Sequence, residues 1–263
     1  MLSSVGPVCT CTREPRVDSR STEPRVTGLE RRRWARVGDH GGVDERYRGF
    51  PDGFFERTDP SPDARFYASP RLVTHIDEGA VAAVGALYDE LGLSGAVLDL
   101  CSSWVSHFRV APARLVVLGM NPVELDRNPQ AGARVVQDLN RDPQLPFADA
   151  SFDAATCCVS VDYLVHPIEV FDEVARVLRP DAPLVCTFSN RCFPTKAIRG
   201  WLATDDEAHL VIVEDYFRRS RGWGDVVAEL RTPPNHRGDP LFAVWANHDQ
   251  PTRPSRGEPR PPA

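Results

Sequence analysis

From Ala96 onward the chain alternates short apolar runs with stretches whose apolar residues recur every three or four positions. Short runs bounded by turn residues read as buried strands, and the three-to-four spacing reads as one face of a helix. Strands are predicted at Ala96–Leu100, Arg114–Leu118, Arg134–Gln137, Asp153–Val159 and Pro183–Phe188. Ahead of the first strand, Val73, Ile76, Ala80, Val84, Leu87 and Leu91 share a helical face, with Ser69 placed to cap it, Pro70 at the first helical position and Gly92 as its stop. A second helix is predicted to start at Asn121-Pro122, with Glu124 in capping-box position. A third runs from Pro167 through Ile168, Phe171, Val174 and Leu178 and stops at Pro180. Strands that alternate with helices imply a parallel sheet covered on both faces. Beyond a helical stretch around Asp205–Arg219, Val226–Leu230 and Leu241–Asn247 are expected to pair as antiparallel neighbours. The expected fold is α/β: a doubly wound seven-stranded sheet, mostly parallel, with a C-terminal antiparallel hairpin.

The two ends lack this periodicity. Residues 1–48 are rich in Arg, Pro, Ser and Gly, and residues 249–263 carry Pro251, Pro254, Pro259, Pro261 and Pro262. Both are expected to be disordered extensions of one domain spanning 49–248. Lys196 is the sole lysine beside thirty arginines, yet the formal net charge is -6, which argues against a nucleic-acid partner. No run approaches the roughly 20 apolar residues of a membrane span, and the N-terminus has no secretory apolar stretch, so a cytoplasmic protein without a membrane partner is expected. Cys101, Cys157, Cys158 and Cys186 sit in apolar contexts and read as buried thiols. Cys9 and Cys11 have no further ligands at zinc spacing, so no metal is expected.

In an open sheet of this kind, ligands bind beyond the carboxyl ends of the strands where the strand order reverses. The exits that flank that point are Asp99-Leu100-Cys101-Ser102-Ser103-Trp104 and Ser160-Val161-Asp162-Tyr163. Here the residues resemble the class I S-adenosylmethionine-dependent methyltransferases, in particular their broad type 11 group. The resemblance rests on Val97-Leu98-Asp99-Leu100, Gln137-Asp138-Leu139, Leu145-Pro146-Phe147, Ser151-Phe152-Asp153 and Glu173-Val174-Ala175-Arg176-Val177-Leu178-Arg179-Pro180, in that order. It implies a Rossmann-like fold and S-adenosylmethionine as cofactor. Asp138 would bind the adenine amine with Leu139 beside the ring, and Asp99 would orient the loop that meets the methionine part. The Ser102-Ser103-Trp104-Val105-Ser106-His107 loop, with Phe66–Asp77 and Ser189–Lys196, is similar to a methyltransferase-like subgroup from which no substrate follows.

The sequence departs from the family pattern twice. The glycine-rich turn is replaced by the Cys101–Ser106 loop, where Ser102 and Ser103 would take over the cofactor contacts. The acidic residue that usually holds the ribose is replaced by Gly119, with Asn121 the nearest substitute and Ser160 a further cofactor contact at the fourth strand's exit. Methyl transfer asks mainly for alignment and exclusion of water. The candidates for proton transfer or acceptor orientation are Asp162, Tyr163 and His107, with His166 nearby. Arg191 and Lys196 are candidate holders of an anionic small-molecule substrate. A catalytically inactive methyltransferase-fold binding protein stands as the alternative.

Overall fold

A computed structural model describes residues 9–10, 44–233 and 235–249. Its strands are β1 (Cys9–Thr10), β2 (Ala96–Leu100), β3 (Arg114–Gly119), β4 (Ala133–Val136), β5 (Ala154–Cys158), β6 (Pro183–Phe188), β7 (Arg191–Cys192), β8 (Val227–Leu230) and β9 (Phe242–Asn247). Its helices are α1 (Asp63–Phe66), α2 (Glu78–Glu90), α3 (Pro122–Asp126), α4 (Pro167–Val177), α5 (Arg199–Leu202) and α6 (Asp206–Arg219). Strands buried on both sides must be apolar at successive positions. In β2 and β3, Leu98, Leu100, Val116 and Leu118 join one core with Phe171 of α4 and Tyr216 of α6. Val97, Leu115 and Val117 face the opposite core with Val84 and Leu87 of α2.

The seven-stranded sheet has the order β4-β3-β2-β5-β6-β9-β8. The first five of these pair in parallel, and β9 pairs antiparallel with both β6 and β8. The predicted mostly parallel sheet with its C-terminal hairpin is the observed one. The order reverses between β2 and β5, whose carboxyl ends open into the same cleft. Two of the connections between parallel strands carry no helix: Cys101–Ala113 after β2 and Gln137–Asp153 after β4.

Local chemistry moved several boundaries. The helix predicted from Ser69 and Pro70 begins at Glu78, because Asp77 caps it by accepting the Ala80 N–H at 2.8 Å. The Asp77 backbone N–H and the second carboxylate oxygen are also tied reciprocally to Asp239, at 3.0 and 2.7 Å. Residues 69–76 therefore form a non-helical strap. At the other end of α2, Gly92 takes φ +66° as expected of a stop. Asn121 caps α3 as predicted, but Glu124 closes no capping box; its carboxylate accepts the Arg71 N–H at 2.7 Å and the Ser103 hydroxyl at 2.6 Å. Part of the segment expected to be disordered belongs to the fold. Arg46 bridges Glu169 and Asp172 of α4, at 3.0 and 2.7 Å, and Cys9–Thr10 pairs with β7. The remaining predicted tails lie outside the described residues, as does Cys11.

Candidate functional site

The cleft at the β2/β5 switch point is lined by the strand exits on the sheet side and by Asp63, Tyr67, Arg71 and Val73–Ile76 on the other. Of the residues singled out from the sequence, Asp99, Ser102, Ser103, His107, Asn121, Asp138, Leu139, Ser160 and Tyr163 all line it, and so does Arg191. Asp162, Lys196 and His166 do not.

Asp99 is the penultimate residue of β2 and is only 4% exposed. One of its oxygens accepts the hydroxyls of Ser102 and Ser106 at 2.6 and 2.5 Å, and the other accepts that of Thr156 at 2.7 Å. Burial pushes its carboxyl up, and the three hydroxyls pull the other way. Asp99 thus spends its acceptors on building the loop. The loop leaves β2 through Cys101 at φ 51°, a left-handed conformation that side chains rarely adopt, and β5 leaves through Val159 at the same φ. Such strain persists only where the surroundings impose it.

The glycine missing from the loop reappears beneath it. A Cβ on Gly119 would stand 2.1 Å from the Ser102 carbonyl oxygen, so the loop sits where the family's acidic side chain would begin. The Ser102 N–H is fixed to the Leu118 carbonyl at 2.8 Å. Asn121 is likewise committed: its amide nitrogen donates to the carbonyls of Tyr67 and Ala68 and its oxygen caps α3. The hydroxyls of Ser102 and Ser103 are engaged by Asp99 and Glu124. What the loop still offers is its backbone: among the described residues, the N–H groups of Ser103 to His107 meet no protein acceptor.

Asp138 follows β4 half-buried, with one oxygen accepting the Asn140 N–H at 3.0 Å and no protein donor on the other among the described residues. Leu139 beside it is 5% exposed. Asn140 anchors this segment by donating to Asp63 and to the Tyr163 carbonyl, both at 2.9 Å, and by accepting the Val165 N–H at 2.8 Å. Ser160 lies at the β5 exit with its hydroxyl on the Cys158 carbonyl at 3.0 Å.

The proton-transfer candidates separate. Burial holds the His107 imidazole below its usual value, so it stays neutral near pH 7. The Tyr163 hydroxyl accepts the Phe193 N–H at 2.8 Å, and burial followed by the Asp162 charge keeps it a phenol. Asp162 is 2% exposed, burial pushes its carboxyl up to about 8, and its Oδ2 has no hydrogen-bond partner. It stands behind the cleft wall rather than in it. The Cys101 thiol is pushed well up by its contact with the Cys157 thiol and by burial, so it is no nucleophile.

Lys196 is corrected most sharply. It is fully buried, its ammonium 3.1 Å from both Asp59 and Asp63 and donating to the Ser61 carbonyl at 2.8 Å. Asp63 also takes Arg57 at 2.7 Å. Burial would raise the Asp63 carboxyl, but Arg57, Asn140 and Lys196 together hold it below the usual carboxylate range. Lys196 therefore anchors the N-terminal wall and has no charge left for a substrate. Arg191 lines the cleft but is paired with Asp239 at 2.7 Å.

Sequence reading missed Tyr67, Arg71, His75 and Phe193. Their signals were the Phe66–Asp77 and Ser189–Lys196 segments, but a helix drawn from Ser69 assigned Arg71 and His75 to a helical face rather than to the cleft.

Residues 95–186 match the family model described as a methyltransferase domain. No curated protein is matched by the sequence. Among solved structures, the 4+2 cyclase SpnF is similar at 14% identity and TM-score 0.50, over 71% of this chain and 91% of that one. A SAM-dependent methyltransferase from Aquifex aeolicus is similar at 16% identity and TM-score 0.45, over 65% and 94%. Geranyl diphosphate C-methyltransferase from Streptomyces coelicolor A3(2) gives 13% and 0.42, over 64% and 77%. At such identities the likeness concerns the fold.

Proposed function

We propose that this chain, which carries a methyltransferase-family domain at residues 95–186 on a class I methyltransferase fold, transfers a methyl group from S-adenosylmethionine to a small-molecule acceptor in the cytoplasm. The observation that carries this reading is Asp138, a strand-end carboxylate facing the switch-point cleft with one oxygen unclaimed by the protein. Asp138 would take the adenine amine, with Leu139 against the ring. The free N–H groups of Ser103 to His107 suit the hydroxyl and carboxylate oxygens of the remaining cofactor, replacing the glycine turn by backbone donors on a loop that Asp99 holds in place. When bound, S-adenosylmethionine supplies an activated methyl and its own leaving group. The chain's part is to align the acceptor and exclude water. His107 can accept the acceptor's proton because it is neutral, and the Tyr163 phenol can orient the acceptor's oxygen or nitrogen. Asp162 supports the β5 exit from behind: its carbonyl accepts the Ile198 N–H at 3.0 Å.

One observation favours a second reading, a binding protein of this fold without transferase activity: the loop over Gly119 fills the place of the ribose-holding acid. The likeness to SpnF, a cyclase, likewise separates this fold from any single activity. Calorimetry with S-adenosylhomocysteine decides. The transferase reading expects micromolar binding, weakened about 10–100-fold in Asp138→Ala as one charge-assisted hydrogen bond is lost. Absence of binding to the wild-type chain would overturn it in favour of the binding protein.

A further inference from the structure

Two arginines line the cleft, and their charges are in different states. Arg191 is paired with Asp239. Arg71 meets no carboxylate at ion-pair distance among the described residues; its guanidinium donates only to the carbonyls of Phe66, at 2.9 Å, and Ser69, at 3.5 Å. Its backbone N–H is held separately by Glu124. The guanidinium lies over the Phe66 ring at 4.4 Å and near the Phe193 ring at 5.4 Å. Phe193 also meets Phe66, His75 and Tyr163 with ring centroids 5.2, 5.2 and 5.9 Å apart. A ring cluster of this kind ordinarily attracts a cation, but here the chain's own arginine fills that role. What remains for a ligand is a flat, positively charged surface with aromatic walls. The guanidinium's planar fork matches a carboxylate, and the rings match an unsaturated or aromatic skeleton.

We infer that Arg71, packed on Phe66 outside the cleft lining and beside Phe193 within it, forms the acceptor subsite and takes the carboxylate of an aromatic or similarly flat carboxylic acid. The inference rests on the methyltransferase reading for the word acceptor, but the anion site itself does not. His75 belongs to the same group of rings. Burial foremost, reinforced by Arg71 and His107 and opposed by Glu124, lowers its basicity, so it adds a neutral proton acceptor rather than a second positive charge. The cofactor's own carboxylate is the competing occupant of Arg71, and the unclaimed loop amides argue that it is held elsewhere.

The test titrates the full chain with benzoate and with its neutral counterpart benzamide, by calorimetry or ligand-observed NMR, with and without S-adenosylhomocysteine. Benzoate should bind at least about tenfold more tightly than benzamide, an advantage that Arg71→Gln abolishes and Arg71→Lys restores only in part. Equal binding of the two probes to the wild-type chain overturns the inference without any variant, so a folding defect in Arg71→Gln cannot hide the answer. A benzoate preference that survives in folded Arg71→Gln overturns it as well. If Arg71→Gln weakens S-adenosylhomocysteine about tenfold but spares methylthioadenosine, which lacks the carboxylate, Arg71 serves the cofactor and the acceptor assignment falls. Wild-type benzoate binding without S-adenosylhomocysteine binding would sustain the anion subsite while removing the transferase reading.

Discussion

On the sheet side of the cleft, charge is met by hydroxyls and backbone amides contributed within the strand exits, as Asp99 is met by Ser102, Ser106 and Thr156. On the N-terminal side, charge is met by groups brought from far along the chain: Asp59 and Asp63 close on the Lys196 ammonium, and Asp77 accepts the Asp239 backbone N–H. The sheet side is rigid because parallel ladders fix it. The N-terminal side has no ladder and depends on buried ion pairs, which contribute little when complete and cost much when one member is removed. A surface held in that way can carry a free guanidinium such as Arg71 against the rigid wall opposite.

The most demanding test concerns Asp162, the buried carboxyl at the β5 exit whose Oδ2 lacks a partner among the described residues. Its folded value of about 8 lies above the unfolded one, so the folded state keeps a proton that the unfolded state releases. Stability therefore falls as pH rises from about 4 toward 8, by about 1.4 kcal/mol per pH unit from this group. Between pH 5 and pH 8, Asp162→Asn should remove about 4 kcal/mol of that pH dependence from urea unfolding. Parallel wild-type and variant curves would show that the carboxyl ionises normally.

The N-terminal wall is broken by Lys196→Met, which leaves Asp59 without its cation and Asp63 with Arg57 alone. The expected loss is about 3 kcal/mol, accompanied by weaker ligand binding at the cleft. A loss below about 1 kcal/mol in the unfolding midpoint would place the lysine in a pair of surface strength. On the sheet side, Gly119→Ala should cost about 2 kcal/mol and lower affinity for S-adenosylhomocysteine, because the added Cβ meets the Ser102 carbonyl rather than a movable side chain. An extended residue such as this would ordinarily gain from Gly→Ala. A raised Tm with unchanged affinity would therefore mean that the loop does not rest on β3.

The same division governs what the sequence disclosed. The strands of the sheet were legible within one or two residues, since burial on both faces forces consecutive apolar residues into β2, β3 and β6. The sheet-side site residues were legible for the same reason: Asp99 lies near the end of β2, and Asp138 and Ser160 stand two residues beyond the ends of β4 and β5. The other wall was not. Val73 and Ile76 fit the helical period of α2, but Asp77 takes the cap and binds a residue 162 positions away. The role of Lys196 depends on partners more than 130 positions earlier, which no local pattern encodes. Glu124 was assigned a local capping role, and the structure gives it a long-range one.

That residue joins the two walls, and it supplies the finest test of the difference between them. Glu124 is 7% exposed, and its two oxygens reach opposite sides: Ser103 on the loop and the Arg71 N–H on the strap. Ser103→Ala leaves the loop backbone and the Asp99 hydroxyl contacts intact while removing one donor from a buried carboxylate. The expected cost is about 1.5 kcal/mol, since a hydrogen bond to a charged group is lost and its acceptor stays buried. If Glu124 transmits position across the cleft, the same variant also reduces the preference for benzoate over benzamide, because Arg71 loses the fixed anchor of its backbone. A stability loss with the preference intact would confine Glu124 to holding the loop, and the two walls would then be independent structures that happen to face one another.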